Sequence, residues 1–379
     1  MELPSTSQDA VHKDLSPLFV GSEIYRRPAY GRNHPLAIPR VETAIDLCRS
    51  LGWLEQGMVE SPIADFATLT RFHDPDYVTA LYEADRDGLV PAEARRRYNI
   101  GTFENPVFSG VFERAATAVG GSVLAAQRAL DGRTAYHPAG GTHHAGPSGA
   151  SGFCFFNDPV FAVLSLLDAG LGRVLYADLD AHHGDGVEDA FAADARVFTI
   201  SMHEANRWPG TGLASDRRQG RARNLPVPPG LNDSEFSFLI DDAVLPVAAR
   251  FHPEAVVITA GADPLAGDPL SKLELSNGAV WDAVMKIAAT AGAAVVLGGG
   301  GYNPWTVGRF WAGLWGRIAG YTFPDRLPER TRTLLSRLSC DLIEDEDIDG
   351  NWLVSLNDPP NPGAIRHRIR TLRDEMLAP

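Results

Sequence analysis

The chain has 379 residues, of which 44% are hydrophobic and 22% charged, a balance typical of a folded globular protein rather than a disordered one. Lys and Arg number 34 against 48 Asp and Glu, which gives a formal net charge of -14. Because nucleic acids and anionic membranes are polyanions, this charge disfavours both as partners and favours cationic substrates such as amines.

Cysteine usage and the amino terminus predict a cytoplasmic protein without a membrane segment. Cys48, Cys154 and Cys340 are scattered and form no CxxC pair, so neither a disulfide framework nor a thiolate zinc site is indicated. The stretch Met1–Leu15 is polar and lacks the apolar core of a signal peptide. No apolar run reaches the length of a membrane span.

Short apolar runs separated by helix-length segments predict an α/β fold with a parallel sheet covered on both faces. The helix-length segments include Val107–Leu130, whose apolar residues at three- and four-residue steps predict a helix. The predicted strands are Val174–Ala177, Val197–Ile200, Ala255–Ala260 and Ala293–Leu297.

The chain contains no internal repeat and no long linker, so we expect one domain over residues 1–379, with a core at about 30–320. Residues 323–379 differ in character, with an acidic run at Glu344–Asp349 and a basic helix around Arg366–Leu377. We interpret this stretch as an extension that packs either on the domain or on the partner in a homo-oligomer.

Two polar clusters that follow predicted strands have the residues of a catalytic metal site. In the cluster Asp178–Gly186, strand alternation would place Asp178, Asp180 and His182 on one side. Asp263 follows the predicted strand Ala255–Ala260 and offers another carboxylate. So much charge behind an apolar strand is hard to bury without a metal, and two carboxylates with one imidazole leave coordination positions open for catalysis.

Two further clusters predict acid/base and oxyanion-binding groups. His143 and His144 are adjacent, so their side chains diverge from an extended backbone, and we interpret them as acid/base groups beside the metal. Gly298–Gly301 allows a tight turn next to a ligand, and Tyr302 directly after it could donate its hydroxyl to an oxyanion.

These motifs, in this order, resemble those of the histone deacetylases, most closely the class I type and its bacterial acetoin-utilisation relatives. The resemblance covers roughly residues 30–320 and includes Ser151–Asp158, Asp178–Glu188, Trp208–Gly212, Gly261–Asp268 and Gly298–Tyr302. It implies an arginase/deacetylase-like three-layer α/β fold with a central, mainly parallel eight-stranded sheet. It also implies a zinc-dependent amidohydrolase that removes acetyl or other acyl groups from N-acyl-lysine or related amines.

The resemblance further implies roles for single residues. One Zn²⁺ per chain would be held by Asp180, His182 and Asp263, and would polarise the amide carbonyl and acidify the attacking water. His143 would pair with Asp178 and His144 with Asp185, and carboxylate partners of this kind orient an imidazole and raise its basicity. One histidine, His144, would take the water proton, the pair would protonate the leaving amine, and Tyr302 would hydrogen-bond the tetrahedral oxyanion.

By the same resemblance, an apolar tunnel would hold the acyl-lysine stem and cations would bind nearby. Phe153 and Trp208 would be its walls, Gly152 its floor and Leu270 its rim, while Glu104 stands where the family has an aspartate that grips the substrate backbone. Arg40 resembles the arginine of the family's internal channel. Potassium would be held at Asp178, Asp180, His182, Ser201 and Met202, and at a second set formed by Phe191, Asp194 and Val197.

Three alternatives remain open. The first is a deacetylase of acetylpolyamines or other small amides, and the second is a manganese ureohydrolase of the arginase type, whose fold is related. A ureohydrolase needs more bridging aspartates and has no use for Tyr302 or the tandem histidines. The third is a non-catalytic reader of acyl-lysine that kept the fold, which is disfavoured because the ligand, base and oxyanion residues are all present.

Overall fold

The computed structural model describes residues 16–55 and 57–378. The interpretation of Met1–Leu15 therefore lies outside the described residues. Within them, one sheet of eight parallel strands has the order β2-β1-β3-β8-β7-β4-β5-β6. The strands are β1 (Leu18–Gly21), β2 (Val59–Glu60), β3 (Thr134–His137), β4 (Val174–Asp178), β5 (Val197–Glu204), β6 (Ala222–Val227), β7 (Ala255–Thr259) and β8 (Ala293–Leu297).

All four predicted apolar runs are strands, and the parallel sheet is confirmed. Each of the central strands is buried along its whole length because successive side chains enter opposite cores. In β7, for example, Val256 and Ile258 pack into one core, whereas Ala255 and Val257 pack into the other. Two buried faces make the three layers of the expected fold.

Helices cover both faces of the sheet. One face packs against α5 to α7, and the other against α1 and α8 to α13. The helices are α1 (Val41–Ser50), α2 (Phe66–Leu69), α3 (Pro75–Asp87), α4 (Ala92–Tyr98), α5 (Val111–Ala129), α6 (Asp158–Asp168), α7 (Asp185–Phe191), α8 (Asp233–Leu239), α9 (Leu245–Phe251), α10 (Asn277–Ala288), α11 (Pro304–Ile318), α12 (Glu329–Leu335) and α13 (His367–Leu377). None of the helices in the described part of the chain is long and apolar enough to cross a bilayer.

The helix predicted from Val107 begins four residues later, at Val111. Gly110 precedes it with a φ of 87°, which stops the helical path. The carboxylate of Asp85 on α3 accepts hydrogen bonds from the backbone N–H groups of Gly110 and Phe112, at 2.7 and 2.9 Å. This cap comes from a residue distant in sequence, so local periodicity could not place the helix start.

The carboxy-terminal segment packs against the layer formed by α1 and α8 to α11. The Trp352 ring stacks on Trp305 of α11 with centroids 6.3 Å apart. The buried guanidinium of Arg309 donates to the carboxylate of Asp358 at 2.6 Å. The basic helix expected around Arg366–Leu377 is present as α13, whose apolar side chains, including Leu372, are buried in the same core.

Candidate active site

The four polar clusters follow β3, β8, β7 and β4, which are consecutive neighbours in the sheet. Parallel strands direct their carboxyl ends to one edge, so residues far apart in sequence meet there. The loop with His143 follows β3 and Tyr302 follows β8, while Asp263 follows β7 and Asp180 follows β4.

Asp180, His182 and Asp263 form a buried cluster in which one ligand atom from each lies within 4.8 Å of the others. Nδ1 of His182 lies 2.8 Å from Oδ2 of Asp263 and 3.2 Å from Oδ1 of Asp180. Asp180 and Asp263 are fully buried. Two carboxylates and one imidazole are oxygen and nitrogen donors of the kind that bind a catalytic divalent metal.

The electrostatics of this cluster also fit a cation. Burial and the charge of Asp180 raise the pKa of Asp263 to about 6. Burial would lower the pKa of His182, but its hydrogen bonds with both aspartates raise it to about 10. Burial disfavours the charged form of Asp180, yet His143 and His182 hold its pKa well below the usual range. These carboxylates therefore draw positive charge, and a bound cation would satisfy both.

Glycines next to the cluster leave room for the carboxylates. A Cβ on Gly300 would lie 2.1 Å from Oδ2 of Asp263, and one on Gly261 would lie 2.3 Å from Oδ2 of Asp180. The N–H of Gly300 donates to Asp180 at 2.6 Å. The glycines after β8 therefore allow the backbone to lie directly against the carboxylates of the cluster.

Each of the tandem histidines has its own carboxylate partner. Nδ1 of His143 lies 2.7 Å from Asp178, and Nδ1 of His144 lies 2.8 Å from Asp185. Asp178 also accepts the hydroxyl of Tyr176 at 2.7 Å. The two imidazole rings lie side by side with centroids 3.9 Å apart.

The two histidines differ in their affinity for a proton. Burial lowers the pKa of His143, but Asp178 and Asp180 more than offset this and raise it to about 9. Burial and then the charge of His143 lower the pKa of His144 to about 4, although Asp185 opposes the shift. The pair therefore consists of one charged and one neutral imidazole near neutral pH, a division typical of acid/base sites.

Tyr302 lies beside the cluster, with its ring centroid 6.3 Å from that of His182 and 5.9 Å from that of Phe153. Its backbone N–H donates to the buried carboxylate of Asp268 at 2.7 Å. Burial, with the charge of Asp263, raises the pKa of the Tyr302 phenol well above its usual value. The hydroxyl is therefore a hydrogen-bond donor at neutral pH.

A pocket of about 430 Å³ opens over these groups. The His144 ring meets Trp208 edge-on at 4.6 Å, and a Cβ on Gly152 would lie 2.4 Å from the Trp208 ring. The structure thus brings the predicted tunnel residues to one cavity. The pocket is lined by Glu104, His144, Gly152, Phe153, His182, Glu204, Asn206, Arg207, Trp208, Leu270 and Tyr302.

Glu104 is held by the protein itself. One carboxylate oxygen accepts the N–H of Gly152 at 2.9 Å, and the other accepts the side-chain amides of Asn99 and Asn105 at 2.9 and 3.3 Å. The charge still lines the pocket mouth. Glu104 therefore positions the tunnel floor through Gly152.

Below the site, a second cavity of about 110 Å³ contains Arg40. Its guanidinium lies 4.8 Å from the Trp311 ring and donates to the carbonyl of Gly299. The cavity also contacts Thr142 on the tandem-histidine loop and Phe153.

The residues of the expected potassium sites lie in two groups. Asp178 and Ser201 are paired in register on β4 and β5, and Met202 follows on the same strand. Phe191, Asp194 and Val197 share one turn, in which the carbonyls of Phe191 and Asp194 accept backbone hydrogen bonds at 3.0 and 3.2 Å. Potassium at either group remains a prediction.

Asn157 and Asp158 end the Ser151–Asp158 motif, but the sequence did not indicate a role for either residue. The carboxylate of Asp158 accepts the backbone N–H groups of Gly141 and Thr142, at 3.0 and 2.7 Å, and the hydroxyls of Thr142 and Ser122. The amide of Asn157 donates to the carbonyls of His143 and Ala145, at 3.1 and 2.9 Å. Both residues therefore hold the tandem-histidine loop at each end.

Two other buried histidines support the same loop. His73 accepts the N–H of Asn157 at 3.1 Å and donates to the carbonyl of Gly146 at 3.0 Å. His137 lies 3.1 Å from the Ser122 hydroxyl that donates to Asp158. Burial lowers the pKa of both histidines, to about 4 for His73 and about 3 for His137, so they act as neutral hydrogen-bonding groups. The only feature of the sequence that could have indicated this role is the Asn157–Asp158 pair at the start of α6.

Comparison with known proteins identifies the class to which this fold and site belong. Residues 34–318 match the model of the histone deacetylase domain. The chain is 35% identical over 299 residues to "Histone deacetylase 8" of Danio rerio, covering 76% of this chain and 79% of that protein. It is 34% identical over 320 residues to "Acetoin utilization protein AcuC" of Bacillus subtilis (strain 168), covering 80% of this chain and 82% of that protein.

A solved structure agrees with these relatives. The crystal structure of a histone deacetylase homologue from Aquifex aeolicus superposes with a TM-score of 0.91 at 36% identity, and the match covers 96% of this chain and all of that one. The chain belongs to the histone deacetylase family, whose enzymes are deacetylase hydrolases. The expected arginase/deacetylase fold is therefore confirmed.

We predict that Asp158→Asn lowers kcat for deacetylation by a factor on the order of 10 to 100, because the new amide donors face N–H groups and displace the His143 loop. KM and metal content should stay within about twofold of the wild type, which a general loss of folding would not allow. Steady-state kinetics, metal analysis and a thermal melt check this. Ser122→Ala, which removes one donor to Asp158 and none from the loop, should change kcat far less. An unchanged kcat in Asp158→Asn would refute the positioning role.

Proposed function

We propose that this chain is a zinc-dependent amidohydrolase that removes acetyl or other acyl groups from N-acyl-lysine or related amines. One observation carries the proposal: the Asp180–His182–Asp263 cluster, His144 and Tyr302 meet at one pocket with aromatic walls. A metal ligand set, an acid/base pair and an oxyanion donor are the groups that amide hydrolysis needs.

Asp180, His182 and Asp263 would hold the Zn²⁺, since they supply three donors and leave the pocket side open. Bound zinc would supply Lewis acidity for the amide carbonyl and for the attacking water. By the family's precedent we also propose K⁺ at the group around Asp178 and Ser201 and at the turn of Phe191, Asp194 and Val197.

The histidines would divide the proton transfers. His144 donates its Nδ1 hydrogen to Asp185, so Nε2 carries a free lone pair, and its lowered pKa keeps the ring neutral and able to take a proton from water. His143, with its raised pKa, holds a proton between Asp178 and Asp180 and can pass it to the leaving amine. The pair carries one extra proton at the start, two after His144 has taken the water proton and one again after His143 has protonated the amine. A proton shift from His144 back to His143 would then restore the starting state.

Tyr302 would stabilise the developing oxyanion. Its phenol stays protonated because of its raised pKa, and it lines the same pocket as His144 and Trp208. A hydrogen bond that strengthens as negative charge develops lowers the barrier more than it favours substrate binding.

The pocket walls suit an apolar stem with a polar end. Phe153 and Trp208 supply the aromatic surfaces, and Leu270 adds an aliphatic one. A structure of a histone deacetylase homologue in complex with SAHA superposes on this chain with a TM-score of 0.92 at 36% identity. We infer by analogy that this pocket accepts extended chains of similar width.

Glu104 favours a second candidate substrate class, the acetylpolyamines. Its carboxylate is already bonded to Gly152, Asn99 and Asn105, which reduces its ability to grip two peptide N–H groups. It still places negative charge at the mouth, where the distal ammonium of a polyamine would lie. A ureohydrolase is disfavoured, because Asp178 and Asp185 are bonded to histidines rather than free to bridge metals.

We also propose that residues 1–379 form one domain. In support, Arg309 and Trp305 of the core contact Asp358 and Trp352 of the carboxy-terminal segment.

We expect His182→Ala to lose the metal, because two aspartates alone supply too few donors. Metal analysis of the purified variant should give much less than one zinc per chain, independent of any activity assay. The control is His183→Gln, since the His183 side chain instead bonds Thr211 and Glu188, at 2.8 and 3.2 Å. Full zinc content in His182→Ala would exclude this residue as a ligand.

Tyr302→Phe should lower kcat by a factor on the order of 100 or more while leaving zinc bound, because it removes only the oxyanion donor. Tyr136→Phe is a matched control, since its hydroxyl donates to the Trp311 carbonyl behind the site at 3.0 Å. Its kcat should match the wild type. Equal kcat in the wild type and Tyr302→Phe would remove this tyrosine from the mechanism.

Release of free amine from an acetyl-lysine peptide and from acetylspermidine, measured side by side on protein of known zinc content, tests the substrate class. If Glu104 binds the distal ammonium, Glu104→Gln should lower kcat/KM for acetylspermidine about tenfold. Its kcat/KM for a neutral, capped acetyl-lysine should change little. Equal effects on both substrates would leave Glu104 as a support for Gly152 only. No turnover of either, with zinc present, would exclude acetyl as the substrate group and point to another acyl group or to a non-catalytic reader.

A further inference from the structure

A second groove, of about 350 Å³, lies at the opposite edge of the sheet from the candidate active site. It is bounded by the first residues of β5 and β6, by α9 and by the end of α13. Because the site lies at the carboxyl ends of parallel strands, the eight residues of β5 place the groove about 25 Å away. Its lining residues include Val197, Phe198, Arg221, Arg223, Arg250 and Phe251.

Three arginines converge on the last turn of α13. Arg217 donates to the carbonyls of Glu375 and Ala378, Arg223 to that of Met376 at 3.3 Å, and Arg250 to that of Leu377 at 3.1 Å. A fourth, Arg221, lines the same groove and donates to the carbonyl of Ala192 at 3.3 Å. In a chain of net charge -14, this is a concentrated positive surface.

The helix end does not neutralise this charge. A helix carboxyl end carries about half a negative elementary charge, against four positive charges on the arginines. In the part of the chain that the structure describes, none of the four forms an ion pair, although many of the other arginines do. Asp194 is paired with Arg196 and is attracted to Arg221 only at longer range, while one carboxylate oxygen of Glu375 bonds Arg368.

The arginines also repel one another. Burial, and then the charges of Arg217 and Arg250, lower the pKa of Arg223. A guanidinium has five N–H donors, and each of these arginines makes only one or two hydrogen bonds to the protein. Donors and charge are therefore available to an anion, and a ligand with two or more negative charges would offset the repulsion.

Aromatic side chains form the other wall. The rings of Phe198 and Phe251 lie 5.3 Å apart, and Arg223 lies 5.7 Å from the Phe198 ring. Val247 and Met376 complete an apolar surface beside the charges. A ligand that fits both surfaces has a polyanionic part and a planar or apolar part.

We propose that this groove binds a phosphorylated small molecule of the nucleoside diphosphate type, with the phosphates on Arg221, Arg223 and Arg250 and the ring against Phe198 and Phe251. Such a ligand would bridge β5, β6 and α9 to α13 and so stabilise the carboxy-terminal helix. The groove is separate from the deacetylase pocket, so this site does not depend on the proposed catalytic function, although Val197 at the groove also belongs to the second group proposed to hold K⁺.

Titration calorimetry on the full-length protein tests the proposal, with ADP, pyrophosphate and adenosine as probes. We expect saturable ADP binding with a Kd below about 1 mM, weaker binding of pyrophosphate, and much weaker binding of adenosine. Arg223→Gln and Arg250→Gln should each weaken ADP binding about tenfold or more, whereas Arg250→Lys should retain part of it because it keeps the charge.

Controls separate the groove from general charge effects and from the active site. Arg317→Gln, which removes an arginine paired with Asp282 on another surface, should bind ADP like the wild type. Deacetylation should be unaffected by ADP, and thermal melts should show that Arg250→Gln remains folded. The proposal is wrong if ADP does not saturate or if both groove variants bind it as tightly as the wild type. Equal affinities for ADP and pyrophosphate would overturn the role of the two phenylalanines.

Discussion

The site depends on two carboxylates, Asp180 and Asp263, that are fully buried beside each other. Like charges in a water-poor environment repel strongly, so such a pair is stable only with a compensating positive charge. His182 supplies part of it between the two aspartates. The divalent cation that we propose for this site would supply the rest.

The surrounding structure keeps these charges in place. Gly261 and Gly300 lie where any Cβ would collide with the carboxylates, so backbone reaches the ligands directly. Behind this layer, Asp268 accepts the N–H of Tyr302, and the Trp352 ring lies against Gly267. The carboxy-terminal segment therefore supports the loop that carries the tyrosine.

Chemically similar residues of the site have different bonding partners and therefore different roles. Asp178 and Asp185 belong to the same sequence cluster as Asp180, yet they bond to His143 and His144. This pairing divides the histidines into one with a raised and one with a lowered pKa. It also distinguishes the site from a binuclear one, because these aspartates are not available to bridge two metals. Asn157 and Asp158 fix the position of the loop that carries these two histidines.

The sequence by itself determined four of the eight strands, the parallel sheet, the family and the polar residues gathered at the strand ends, because buried strands are continuous apolar runs and polar clusters directly after them are local patterns. It did not locate β1, β2, β3 or β6. It could not determine the start of α5, which Asp85 caps from a distant helix. Nor could it show that Glu104 is bonded to Gly152, or that Arg217, Arg223 and the distant Arg250 meet at the end of α13. Only the tertiary structure decided these features, since each depends on contacts between residues far apart in the chain, which local periodicity does not encode.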